Sequence, residues 1–160
     1  MTILLVAILI SILLGRITVG PLFFLVAFPG VVLHEFAHFL VALVLGARPT
    51  AINLIPKRDG PNGWILGSVP FNACWWSSGF VALAPLFLLP LLGWALFSEA
   101  DNESWLQIGL VGYAIGCISW ACIPSRTDWA LAFRYPFGTV VLFSLAFYAL
   151  KGFLQTLLAN

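Results

Sequence analysis

The sequence predicts an all-α polytopic membrane protein with about five transmembrane helices and a short β-hairpin between the second and the third. Of its 160 residues, 62% are hydrophobic and only 8% are charged, whereas a soluble domain is about 45 to 50% apolar and about 25% charged. The apolar residues form runs that end where charged residues, Gly and Pro cluster, and inside a bilayer such runs fold as helices. About 20 apolar residues are needed per crossing, so the crossings use most of the chain and predict a single domain over residues 1–160.

The five apolar runs give the predicted helices in chain order. We expect them at about residues 3–14, 21–46, 79–97, 105–123 and 136–158. No Lys or Arg precedes the first run, so we expect a retained anchor and not a cleaved signal peptide. The second run is about 39 Å long as a helix, enough to cross with tilt. An alternative joins residues 3–27 into one span and starts a short helix at Val31, but this places Arg16 in mid-membrane, which is costly.

Between the second and third runs, the pattern changes to two short strand-like segments. They flank the charged turn Lys57-Arg58-Asp59-Gly60-Pro61-Asn62-Gly63. Two such segments around a Gly/Pro turn predict a β-hairpin over about residues 50–70.

Charge and cysteine content narrow the classes of partner and location. With 7 Lys+Arg against 6 Asp+Glu, the net charge is +1, so nucleic acid is not an expected partner. The three cysteines contain no C-x-x-C and are expected to be apolar fillers.

Because Lys and Arg accumulate on the cytoplasmic side, we expect the hairpin and residues 124–135 to face the cytoplasm. The absence of a eukaryotic-style targeting signal favours a bacterial inner membrane.

The strongest chemical signal is the motif His34-Glu35-Phe36-Ala37-His38 in the second predicted helix. Residues four apart lie on one face of a helix, so His34 and His38 can ligate one zinc ion. Zinc lowers the pKa of a coordinated water toward about 7, and Glu35 can act on that water as general base. The alternative is a pair of packing histidines with a hydrogen-bonded Glu beside them, although ionisable groups within a bilayer are expensive and usually functional.

A catalytic zinc site takes three protein ligands, and elimination leaves Asp128 as the third. The chain has no further His, and its acidic residues other than Glu35 and Asp128 lie in the hairpin turn or in the acidic loop 99–103 on the predicted far side. Asp128 follows Pro124, which can break the fourth helix and turn the backbone inward. The alternative for Asp128 is a helix N-cap paired with Arg126 or Arg134.

These residues together resemble the site-2 protease family of intramembrane zinc metalloproteases. The resemblance covers about residues 21–135 and implies that His34, His38 and Asp128 bind Zn²⁺ and that Glu35 is the catalytic base. It also implies that the hairpin has an edge strand that pairs with an unfolded substrate segment, and Ala84-Pro85 resembles a feature of the family's third crossing. The chain departs from the family in having Arg126-Thr127-Asp128-Trp129 around the Asp, and it has no room for a PDZ domain. The match is therefore to a minimal, divergent branch.

The expected function is that of a zinc metallopeptidase that hydrolyses peptide bonds of membrane-embedded or membrane-adjacent proteins. Two alternatives from other classes remain at this point. One is a metal-binding or transport protein of the membrane that performs no hydrolysis, and the other is an inactive protease relative that binds membrane partners. A Glu directly after the first His favours hydrolysis, since metal binding alone does not require it.

Overall fold

The computed structural model describes residues 5–10, 12, 21–59, 63–97 and 104–159, which are mostly helical with one small two-stranded sheet. The elements in chain order are α1 (described over residues 5–10), α2 (Pro21–Val44), β1 (Lys57–Asp59), β2 (Gly63–Ile65), α3 (Ser78–Ala82), a 3₁₀ helix (Ala84–Leu88), α4 (Leu89–Phe97), α5 (Trp105–Ala121), α6 (Arg126–Arg134) and α7 (Pro136–Ala159).

Three helical segments are long and apolar enough to cross a membrane. They are Phe24–Val44, Trp105–Arg134 and Pro136–Thr156. The predicted helical class and the hairpin are confirmed, whereas five crossings are not shown. Of the first predicted helix, residues 5–10 and 12 are helical and the others lie outside the described residues.

The second predicted helix forms, and the alternative with a new helix at Val31 is wrong. α2 runs without a break from Pro21 through Val31 to Val44, with Pro29 inside it. The helix ends two residues earlier than predicted, and Gly46 then adopts φ +68°, a left-handed conformation typical of a glycine just beyond a helix.

The prediction of one helix over residues 79–97 is wrong, because the segment divides into α3, the 3₁₀ helix and α4. A proline has no N–H to donate, and its ring clashes with the carbonyl four residues earlier. Pro85 therefore stops the α-helix that contains Val81, and the chain continues as a 3₁₀ helix. Pro90 is the second residue of α4, where a missing N–H is tolerated.

α2 and α5 lie side by side and run in the same direction. Their contacts recur at every helical turn between residues 87 positions apart, namely Val26–Tyr113, Gly30–Cys117 and His34–Ala121. Both helices advance by one turn from each contact to the next, so they are parallel. Gly30 permits the close crossing, since a methyl group there would lie 2.9 Å from the carbonyl oxygen of Cys117.

The hairpin is longer than its two strands and agrees with the predicted range of residues 50–70. Beyond β1 and β2, Asn53 and Ser68 exchange two backbone hydrogen bonds of 2.9 Å, and the Thr50 N–H donates to Pro70. Leu54 and Leu66 pack against the cluster of Ala27, Val31 and Cys117. The two limbs therefore fold back along α2 toward its N-terminus.

Candidate metal centre

The structure brings His34, His38 and Asp128 together, although 90 residues separate the second histidine from the aspartate. Both imidazoles lie on one face of α2, and Asp128 lies in the first turn of α6. The two Nε2 atoms are 3.2 Å apart. The Asp128 carboxylate lies 3.3 Å from each of them, through Oδ2 to His34 and through Oδ1 to His38. These three are the residues that the sequence predicts as metal ligands.

The hydrogen bonds of the two imidazoles fix where their lone pairs point. Nδ1 of His34 lies 2.9 Å from the carbonyl oxygen of Ala121, and Nδ1 of His38 lies 2.7 Å from that of Val81. A carbonyl oxygen only accepts, so each Nδ1 carries the hydrogen and donates it. In a neutral imidazole the other nitrogen, Nε2, then carries a lone pair. Two lone pairs and a carboxylate then face one another at a largely buried site, an arrangement that a bound cation would stabilise.

The spacing of these atoms fits a zinc ion. Zinc binds histidine nitrogen and carboxylate oxygen at about 2.0 to 2.1 Å in a tetrahedral arrangement, which separates neighbouring ligand atoms by about 3.3 Å. The two Nε2 atoms are 3.2 Å apart, each lies 3.3 Å from one oxygen of the Asp128 carboxylate, and one ligand atom from each residue can be chosen so that all three lie within 4.8 Å of one another. Metal-ligating histidines commonly donate their second ring N–H to a carbonyl or carboxylate, as both do here.

Prolines explain why these two carbonyl oxygens are available. In an α-helix the oxygen of residue i accepts from the N–H of residue i+4. The residue four after Val81 is Pro85, which has no N–H. Three residues after Ala121 comes Pro124, and the N–H at the fourth position, that of Ser125, donates to Asp128 instead. Each break in a helix therefore frees one acceptor for one histidine.

The N-cap position that the sequence offered as the alternative role of Asp128 is taken by Ser125. Asp128 is the third residue of α6 and forms a capping box with Ser125, the N-cap. The Ser125 N–H donates to Oδ2 of Asp128 at 2.7 Å, while the Asp128 N–H donates to the Ser125 hydroxyl at 3.2 Å. Neither Arg126 nor Arg134 forms an ion pair with it in the described parts of the chain. Capping holds the carboxylate in place while it faces the histidines.

Glu35 lies beside the histidines on α2 and is equally buried, at 7% exposure. Within the ranges that the structure describes, its carboxylate forms no hydrogen bond. Gly67, in the second limb of the hairpin, lies directly against its side chain. Of the three cysteines, Cys117 and Cys122 are buried and Cys74 is half-buried, and none belongs to the cluster of ligand atoms.

Sequence reasoning missed four groups around this site, namely the Val81 and Ala121 carbonyls, Ser125 and Gly67. Three of them leave a trace in the sequence. Ser125-Arg126-Thr127-Asp128 has the spacing of a capping box, and each carbonyl precedes a proline by three or four residues. The contact of Gly67 with Glu35 depends on how the hairpin folds back, for which the sequence has no local signal.

Comparison of the chain with protein-family models, curated proteins and solved structures finds no significant match. The resemblance to site-2 proteases therefore rests on the motif residues and stays a prediction.

Proposed function

We propose that this protein is a zinc-dependent intramembrane endopeptidase. The observation that carries the proposal is the convergence of three electron-donating side chains, His34, His38 and Asp128, beside Glu35 in a long apolar helix. Burying the three ionisable groups His34, Glu35 and His38 in such a helix, with the carboxylate of Asp128 in α6 facing the two histidines, is expensive and marks a functional site. A metal explains the convergence of the three ligands, and hydrolysis explains the glutamate that is not one of them.

In this mechanism His34, His38 and Asp128 would hold the metal. Bound zinc would acidify a coordinated water and polarise the carbonyl of the scissile bond. The carbonyls of Ala121 and Val81 keep each imidazole in the tautomer that offers its Nε2 lone pair. Glu35 would accept the proton of the attacking water at its carboxylate and deliver it to the leaving amine. Its freedom from hydrogen bonds with the described residues leaves both oxygens available for this transfer.

The hairpin would hold the substrate in an extended form. A transmembrane helix hides its carbonyls in hydrogen bonds, so a substrate must unwind locally before cleavage. Ser68 directs both of its backbone groups toward Asn53, and neighbouring residues of a strand point theirs to opposite edges. Gly67 therefore presents its N–H and C=O at the outer edge, next to Glu35, where an extended segment of a membrane protein would pair.

The proposal includes five crossings of a bacterial inner membrane, with residues 79–97 as a broken third crossing. The parallel arrangement of α2 and α5 supports it, because the chain must return across the membrane between two parallel helices. His38 lies about six residues, or about 9 Å, before the end of α2. The Lys and Arg residues near that end and in residues 124–135 support a site in the cytoplasmic half.

The proposal is tested with a single-span reporter protein whose transmembrane segment contains a central Gly-Pro pair, reconstituted in liposomes with the purified enzyme. We expect the wild type to cleave it and Glu35→Gln to cleave about 100-fold to 10,000-fold more slowly while binding as much zinc. Glu103→Gln makes the same change two positions before the first residue of α5 in the sequence, and it should cleave at the wild-type rate. The measurement is fragment formation by mass spectrometry together with metal content.

Equal cleavage by the wild type and Glu35→Gln would contradict the role of Glu35 as base. A wild type that binds zinc and yet cleaves no reporter of this kind would contradict the peptidase proposal and favour a metal-binding or transport function.

A further inference from the structure

Gly67 lies directly against the side chain of Glu35. A methyl group at position 67 would lie 2.5 Å from Cγ, 2.7 Å from Cδ and 2.6 Å from Oε1 of Glu35. Such separations are far shorter than a van der Waals contact between carbon atoms, about 3.5 to 4.0 Å. Because Gly67 has no side chain, it leaves room for the side chain of Glu35.

The position of the Glu35 carboxylate is set by packing. No hydrogen bond from any described residue orients it, in contrast to the histidines and Asp128, which all have fixed partners. A long side chain without such a partner keeps its rotamer only if its surroundings exclude the others. The backbone of Gly67 supplies one wall of that space.

The hairpin brings Gly67 to this place in a defined register. The next residue, Ser68, is held by two reciprocal hydrogen bonds to Asn53, and the preceding one, Leu66, packs against the cluster around Val31. A slip of one residue would bring the side chain of Leu66 or Ser68 to the glutamate. In this register the residue that lies against Glu35 is Gly67, which has no side chain.

We propose that Gly67 is a positioning residue that holds the Glu35 carboxylate in the orientation needed for proton transfer. This inference rests on the proposed function for the role of Glu35 as base. The steric contact itself does not depend on that role. The backbone of Gly67 is outside the left-handed region, since Gly46 is the one glycine with positive φ among the described residues. Gly67→Ala therefore acts through the new methyl group and not through backbone strain.

The contact is tested by a double-mutant cycle on the thermal unfolding of the detergent-purified protein. Gly67→Ala should lower the midpoint by about 3 to 10 °C in the wild-type background. In the Glu35→Ala background, which lacks Cγ and the carboxylate, the same substitution should change it by less than about 1 °C. Gly152→Ala adds a methyl group where α7 has open space and should lower neither midpoint.

Equal losses in the two backgrounds would overturn the contact. If Gly67→Ala alone yields no folded protein, recovery of folded protein in the double variant supports the contact and failure of the double variant overturns it.

The positioning role is tested by the kinetics and zinc content of Gly67→Ala on the Gly-Pro reporter. We expect kcat to fall about 10-fold to 100-fold, with KM and zinc content within about twofold of the wild type. Thermal coupling with an unchanged kcat would overturn positioning. If the wild type cleaves nothing, the proposed function fails and the positioning role fails with it, whereas the unfolding cycle still decides the contact.

Discussion

At the scale of single residues, the site depends on two histidines whose orientation is set by backbone carbonyls. Each Nδ1–H donates to an oxygen that has lost its helical donor, so each Nε2 presents a lone pair to the other and to Asp128. A bound cation would stabilise this arrangement in its largely buried setting. The two imidazoles are therefore oriented by the backbone carbonyls of Ala121 and Val81. These groups remain when a side chain is substituted.

Ser125 provides the first residue-scale prediction, because the capping box holds the carboxylate of Asp128, the proposed third ligand. Ser125→Ala removes the hydroxyl that accepts from the Asp128 N–H, so we expect a loss of about 1 kcal/mol in the free energy of unfolding. Loosening the carboxylate should also weaken zinc binding about 10-fold. Both quantities are measurable on purified protein, by denaturant unfolding and by competition with a chelator.

Ser104 offers a matched control, since it is the N-cap of α5 and its hydroxyl accepts from the Gln107 N–H. Ser104→Ala should lower stability by a similar amount and leave zinc affinity unchanged. Equal zinc affinity in the two variants would contradict a role for Ser125 in holding the ligand.

At the scale of elements, the parallel contact of α2 with α5 decides whether the histidines find their partners. The crossing at Gly30 and Cys117 lies one turn before the contact of His34 with Ala121. Any increase in the distance between the helices at Gly30 therefore reaches the imidazole on the next turn. The breaks at Pro85 and Pro124 then free the backbone carbonyls that accept from the two histidines. The site therefore depends on three local features, namely the close helix crossing at Gly30 and these two breaks.

Gly30→Ala should separate these helices, because its methyl group would meet the Cys117 carbonyl at 2.9 Å. We expect a loss of about 1 to 3 kcal/mol in the free energy of unfolding. Gly109→Ala makes the same change within α5 where no atom lies within 4 Å, and it should be neutral or stabilising by up to about 1 kcal/mol. A neutral Gly30→Ala in denaturant unfolding would contradict the close crossing.

At the scale of the whole molecule, the direction of α2 and α5 fixes the path of the chain. Since both run the same way, the proposed topology places the end of α2 and the start of α5 on opposite sides of the membrane and requires a further crossing between them. α3, the 3₁₀ helix and α4 are the described helices between α2 and α5. A crossing made of short pieces leaves irregular backbone at membrane depth, which is tolerated where it lines a protein site.

This path predicts the sidedness of three exposed positions in a variant that lacks the native cysteines. An impermeant maleimide should label Thr50→Cys and Arg126→Cys from one side of an oriented vesicle, and Ser104→Cys from the other. Labelling of Thr50→Cys and Ser104→Cys from the same side would contradict a crossing between α2 and α5.

Sequence patterns were sufficient for the features that depend on local physics. The apolar runs predict the long helices, the turn residues predict the hairpin, and the spacing of His34 and His38 places both on one face. The patterns fail where distant segments meet. Hydropathy alone does not reveal that Pro85 divides the third apolar run, because every piece of that run is apolar. The packing of Gly67 on Glu35 depends on a fold-back over many residues, and no local pattern encodes it.

The central claim is that His34, His38 and Asp128 hold one zinc ion. The most direct test is the zinc content of detergent-purified wild type beside His38→Ala, Asp128→Ala and Glu35→Gln, after supply of zinc and removal of the excess. We expect about one zinc per chain in the wild type and in Glu35→Gln, and less than about a tenth of that in the two ligand variants. A wild type without zinc would contradict the metal centre, and full zinc content in Asp128→Ala would contradict Asp128 as the third ligand.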